Sequence, residues 1–163
     1  MAVDFVVGRA PRYRVATRTL VGGWPGDRKL QAEFAKIAVW ARRLGLKTGS
    51  WFFRELDGPD VPSKRRKWEV GIEVKGRKAL KGEKGMSLKV LPATTAVSIT
   101  FNPAEVSPEL IYCGLEGWVR WRRKEGKYKQ GGRYREVYRG NPWKSKRAWA
   151  RTQVQVPLKR LSR

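Results

Sequence analysis

The side chains able to do chemistry in this 163-residue sequence form a restricted set, with no histidine at all and a single cysteine, Cys113. A Ser-His-Asp triad, a Cys-His pair, a histidine-bearing zinc site and a histidine-ligated haem are thereby excluded. Any proton transfer falls to carboxylates, tyrosines or lysines. Cys113 lies on an amphipathic stretch, where a buried structural thiol is expected rather than a nucleophile, and one cysteine allows no intrachain disulfide. No metal and no cofactor is expected.

Alternate residues of a strand share a face, so strand-like stretches group the remaining candidates. Glu69 shares a face with Gly71, whose missing side chain leaves room for something. Trp51, Phe53 and Glu55 share another, as do Tyr134, Glu136 and Tyr138, and Trp149, Arg151 and Gln153. Glu69, Gln153 and Tyr138 are the leading candidates for a ligand groove, with Glu136, Trp51, Phe53, Gly71 and Trp149 as further wall residues. The competing reading of these aromatic faces is that two of them are core beneath helices.

Charge points to a second class of partner. Thirty-seven Lys and Arg against fourteen Asp and Glu give a net charge of +23. Such an excess raises affinity for polyanions, because each neutralised phosphate releases counterions. The scarcity of labile residues resembles heat adaptation, but that bias enriches Glu along with Lys and leaves the sign unexplained. Ser63-Lys-Arg-Arg-Lys-Trp68, Arg120-Trp-Arg-Arg-Lys124 and Trp143-Lys-Ser-Lys-Arg-Ala-Trp149 interleave cations with tryptophans. Lys64, Arg65, Arg66, Lys67, Arg122, Arg123, Lys144, Lys146 and Arg147 are therefore the candidate nucleic-acid contacts, with tryptophans available to stack on bases. Trp121 is expected in the core instead, and a solvating role for the charge is the competing reading.

These groups must be positioned by an ordered fold, and the sequence gives its order twice. At an offset of 81 to 84, Tyr13–Thr19 lies against Thr95–Phe101, and Leu30, Phe34, Ile37, Ala38 and Trp40 lie against Ile111, Leu115, Trp118, Val119 and Trp121. Lys67–Val74 then falls against Arg151–Pro157, which sets Glu69 opposite Gln153. Strands are predicted over Tyr13–Leu20, Ser50–Leu56, Trp68–Val74, Met86–Phe101 with a break at Pro92, Arg133–Arg139 and Trp149–Leu158. Two helices carry the apolar stripes, the first capped by Asp27 and ended by Gly45. Residues 1–10 read as a lead-in and Lys75–Gly85 as a basic linker. Pseudo-repeats 11–74 and 86–158 thus form one domain over residues 1–163. The expected class is α+β: a tandem β-α-β-β duplication, two antiparallel sheets side by side, helices on one face and a groove between the repeats. No apolar run reaches the roughly 20 residues of a membrane span, and no signal-peptide core is evident at Met1–Val7, so a cytoplasmic protein is expected, monomeric or dimeric.

The ordered motifs resemble a known family. A strand with a Gly/Pro loop, a helix ending in Trp-x-x-x-x-Gly, then Gly-x-x-x-Glu-x-Tyr-x-x-x-Pro and Thr-x-x-x-x-Pro-Leu is similar to the GyrI-like small-molecule-binding domain, also called the bacterial transcription activator effector-binding domain. The matching residues include Leu91–Ala93, Trp118–Gly126, Gly132–Glu136, Tyr138, Pro142 and Thr152–Leu158. The resemblance implies an effector- or drug-sized pocket in a domain often fused to a helix-turn-helix reader. A lead-in of ten residues precedes the first pseudo-repeat, and no such reader is expected in the sequence; a separate DNA-binding regulator is a candidate partner. The family's ligand-facing acidic position holds Gln153 here, which puts selectivity for lipophilic cations in doubt. Some members hydrolyse strained electrophiles, so a hydrolase using Glu69 beside Tyr138 is a third reading. Catalysis is not the leading expectation.

Overall fold

A computed structural model describes residues 3–76, 82–83 and 85–162. In chain order its elements are β1 (Val6–Ala10), β2 (Tyr13–Val21), α1 (Asp27–Arg43), β3 (Lys47–Glu55), β4 (Lys67–Lys75), β5 (Ser87–Leu91), β6 (Thr94–Phe101), α2 (Pro108–Lys124), β7 (Tyr128–Gln130), β8 (Arg135–Tyr138), α3 (Lys146–Ala150) and β9 (Thr152–Arg160). The class is α+β, with antiparallel strand pairing within each of its two units. Two compact units divide the chain, Arg12–Pro92 and the segments on either side of it. Within the expected linker Lys75–Gly85, residues 77–81 and 84 lie outside the described residues.

In the Arg12–Pro92 unit the strand order is β3-β4-β2-β5. Pairing of Trp51 with Ile72, Phe53 with Val70 and Ala16 with Ile72 puts these side chains on one face. Helix α1 covers that face with Leu30, Phe34, Ile37 and Ala41, spaced by four, three and four residues, which the 3.6-residue turn aligns as a single stripe. Phe34 stacks on Trp51 with ring centroids 5.0 Å apart. Each large side chain buried here contributes about 2–3 kcal/mol. The helix ends where Gly45 takes a φ of +67°, a left-handed turn that a glycine adopts without a Cβ clash. Its beginning differs from the expectation: Gly26 is the N-cap, no side chain caps the first turn, and Asp27 is already helical.

The other unit orders its strands β1-β6-β9-β8, with β7 also paired to β9. Val97, Ile99 and Phe101 of β6 and Val154, Val156 and Leu158 of β9 form its core with Ile111, Leu115, Trp118 and Val119 of α2. Three sequence expectations are corrected in this unit. The N-terminal lead-in contains β1, paired from Val6↔Ser98 to Ala10↔Thr94. The strand expected over Trp149–Leu158 starts only at Thr152, because Ser145 caps a short helix by accepting a hydrogen bond from the Ala148 amide at 3.1 Å, and Trp149 lies on that helix. The strand expected over Arg133–Arg139 shortens to Arg135–Tyr138.

Candidate functional site

Glu69 lies on β4, one residue from Val70, so it points to the face opposite α1. It pairs with Thr19 of β2 and Arg54 of β3. The side chain is buried, at 1% exposure, and a buried carboxylate needs partners. Arg54 supplies them to one oxygen, donating from Nε and Nη2 at 2.8 Å each, and Lys89 of β5 donates to the other. Arg54 and Lys89 remain partly open to solvent. Around the ion pair lie Thr17, Gly71 and Phe52, all buried. The room left by Gly71 is taken by the Phe52 ring, whose edge lies 2.4 Å from where a Cβ would stand.

Gln153 sits in a comparable place within its own unit. On β9 it pairs with Thr100 of β6 and Val137 of β8, on the face opposite α2. Its amide accepts from Gln155 at 2.7 Å and reaches Ser98 and Thr100 at 3.4 Å. The result is a neutral ladder of Ser, Thr and Gln side chains, able to exchange hydrogen bonds but not charge.

The remaining groove candidates fall elsewhere. Trp51 belongs to the α1-covered face, and Phe53 shares that face with Trp68, stacked at 5.2 Å. Glu136 pairs with Val154, on the α2 side, where it accepts hydrogen bonds from Tyr112 at 2.5 Å and from Tyr138. Tyr134 leans on Tyr112 at 5.4 Å. Burial, and after it the neighbouring Glu136 carboxylate, pushes the Tyr112 phenol far above its ordinary range; burial also raises Tyr134. Trp149 is exposed on α3. Of the eight groove candidates, Glu69 and Gly71 share one face, Gln153 occupies the corresponding face of the other unit, Trp51, Phe53, Glu136 and Tyr138 lie on the helix sides, and Trp149 lies on α3.

The basic candidates divide by what they already hold. Arg66 donates to Val61 and Pro59 carbonyls and lies 3.8 Å from Glu55, so it shapes its loop. Arg122 pairs with Glu125 at 2.9 Å and covers the Trp121 ring at 4.4 Å. That cover does not bury Trp121, which is exposed on α2 rather than in the core as expected. The helix turns it past the stripe formed by Trp118. Lys64, Arg65, Lys67, Arg123, Lys144, Lys146 and Arg147 are exposed, and their side chains have no ion-pair partner among the described residues. Cys113 is exposed, not buried. Among the described residues no cluster of metal-ligating side chains occurs and no helix is long and apolar enough to cross a membrane.

Sequence reasoning passed over Arg54, Lys89, Phe52, Ser98 and Thr100. Arg54 was accessible by counting inward from the loop that joins β3 to β4, since antiparallel register places it across from Glu69. Lys89 was not, because its place depends on the β2–β5 pairing, which no local pattern encodes.

An α+β domain with antiparallel strand pairing and one long helix in each unit defines the class. No protein-family model matches the chain, and no curated protein does. Solved structures do share its fold. The C-terminal domain of EcmrR matches with a TM-score of 0.69 at 20% identity, over 99% of this chain and 100% of that domain. EcmrR in a complex with DNA matches with a TM-score of 0.73 at 19% identity, over 98% of this chain; the chain spans 58% of that protein's length. A hydrolase from Listeria innocua matches with a TM-score of 0.56 at 11% identity, over 94% of this chain and 91% of the other. The resemblance to the GyrI-like effector-binding domain therefore holds at the level of fold.

Proposed function

We propose that the chain is a small-molecule-binding module, related to the effector domains of transcription regulators, whose ligand contacts the strand face carrying Glu69, Arg54 and Lys89. One observation carries the reading. A fully buried carboxylate stands on the strand face away from α1, and its charge is already answered by two cations of the same unit. A lipophilic cation would have to displace Arg54 or Lys89, at the cost of leaving a cation unpaired. A neutral or anionic aromatic ligand would not, since Arg54 and Lys89 against Glu69, and Lys75 against Glu73 on the same face, leave that face positive. Gln153, in the family's acidic position, offers an amide and adds no negative charge. The shared fold with the EcmrR C-terminal domain supports an effector role without fixing the ligand.

The reading includes an origin by duplication of one β-α-β-β unit. Glu69 and Gln153 each lie on the strand face away from the helix of their own unit, so corresponding positions have diverged in charge.

A thermal-shift screen with planar aromatic acids, neutral aromatics and lipophilic cations of matched size tests this. Acids and neutral compounds are expected to raise the melting temperature more than cations, and Lys89→Met to erase the preference for acids. A screen in which no compound shifts the melt, or only cations do, overturns the proposal.

A further inference from the structure

Of the eight tryptophans, Trp68 and Trp143 are half-buried and the other six fall at the extremes. Trp40, Trp51 and Trp118 are buried, while Trp24, Trp121 and Trp149 are exposed, with Trp24 the most open at 61%. An exposed tryptophan braced by its neighbours offers a flat, amphipathic ring to a partner. Trp24 is braced by two rings. It makes edge contacts to Phe53 at 5.5 Å and to Trp68 at 5.7 Å, and those two rings are themselves stacked within 6° of parallel.

The loop bearing Trp24 is fastened to the basic turn at Ser63–Arg65. The Gly22 amide donates to the Arg66 carbonyl at 2.9 Å, and the Trp68 indole donates to the Gly22 carbonyl at 2.9 Å. Gly23 lies so close to Ser63 that a Cβ there would stand 3.0 Å from the hydroxyl. The turn fastened to the Trp24 loop in this way carries Lys64 and Arg65, both exposed and without ion-pair partners among the described residues. Nearby acids are largely engaged: Glu55 faces Arg66, and Asp57 accepts from the Lys67 amide. Asp60 is exposed.

From this juxtaposition of the open Trp24 ring with the turn that carries Lys64 and Arg65, we infer that this corner is a binding platform for single-stranded nucleic acid. An unpaired base stacks on Trp24 while the cations track the adjacent phosphates. Stacking needs an open π-face, which a duplex withholds, so the partner is single-stranded. The corner lies on the α1 side of the strands, whereas Glu69 faces the other way, so this inference stands apart from the small-molecule reading.

Fluorescence anisotropy of labelled single-stranded DNA and RNA 15-mers, with a matched duplex and anionic phospholipid vesicles alongside, tests the inference at about 0.15 M salt. Single strands are expected to bind more tightly than duplex. Trp24→Ala should weaken single-strand binding about tenfold with an unchanged melting temperature, and Trp24→Tyr should retain most of it. Lys64→Gln with Arg65→Gln should flatten the salt dependence by about 1.4 in logarithmic slope. Equal affinity for duplex, indifference to Trp24→Ala, loss of binding at that salt, or a Trp24-dependent preference for vesicles would each overturn it.

Discussion

Arg54 grips Glu69 through both Nε and Nη2, each 2.8 Å from the same carboxylate oxygen, across the β3–β4 register that pairs the two residues. With Lys89 on the other oxygen, a negative charge is held in a buried place without being left unpaired. Removing it strands two cations. Glu69→Leu is expected to cost about 2–3 kcal/mol in urea unfolding, less than a deeply buried pair because Arg54 and Lys89 retain solvent. Glu69→Leu with Arg54→Met should cost less than the sum of the two single changes. Strict additivity in that double-mutant cycle would show that the contact contributes nothing.

Glu33 of α1 makes the corresponding tie on the helix-covered side, taking hydrogen bonds from Arg18 of β2 and from Lys36 at 2.6 Å. Burial alone would raise its carboxyl, but the bonds from Lys36 and Arg18 outweigh it and hold the carboxyl below its usual range. A folded-state value below the unfolded value of about 4.3 gives stability that is present above that pH and lost as pH falls through the folded value. Glu33→Gln should therefore lower stability by about 2 kcal/mol at pH 7 and progressively less below pH 4. Urea midpoints across pH 3–7 for both proteins measure the closing gap.

What could be read from the residues follows from how locally each feature is encoded. The α1 and α2 stripes were legible because Leu30, Phe34, Ile37 and Ala41, and Ile111, Leu115, Trp118 and Val119, repeat at helical spacing over 17-residue helices. Helix α3 is five residues long, too short to show a period, and only Ser145 three residues before Ala148 hints at its cap. Strand β1 is largely exposed and so lacks the alternation that marks a half-buried strand. For the candidate site, strand alternation puts Glu69 and Gly71 on one face, yet it cannot say which face a helix covers. That ambiguity is why Trp51 and Phe53 grouped with Glu69 in sequence and separate in space.

Tyr112 offers a test at the alkaline end. Burial and the Glu136 carboxylate favour its neutral phenol in the folded protein, whereas the unfolded chain ionises near pH 10. The folded value is the raised one, so stability is fully present below about pH 10 and lost as pH climbs past it. Absorbance at 295 nm should show a tyrosine that ionises only as the fold is lost. Tyr112→Phe should cost about 1 kcal/mol at pH 7 by leaving Glu136 with one phenol donor fewer, and should soften the alkaline loss. An unchanged alkaline midpoint in Tyr112→Phe would count against this assignment.

Gly71 pairs with Thr17 on one side and Phe52 on the other, and a Cβ there would stand 2.4 Å from two atoms of the Phe52 ring and 3.0 Å from the Thr17 methyl. The glycine is required by space rather than by backbone angle, since its φ is not positive. Phe52 is completely buried, so its ring has little freedom to withdraw. Gly71→Ala should destabilise by about 2–3 kcal/mol through overpacking. Adding Phe52→Leu should recover part of that loss, although Phe52→Leu alone removes buried surface and costs about 1 kcal/mol. This sign reversal is the diagnostic outcome: a change harmful by itself becomes helpful beside Gly71→Ala. If Phe52→Leu is equally harmful in both backgrounds, the ring is not what excludes a side chain at position 71.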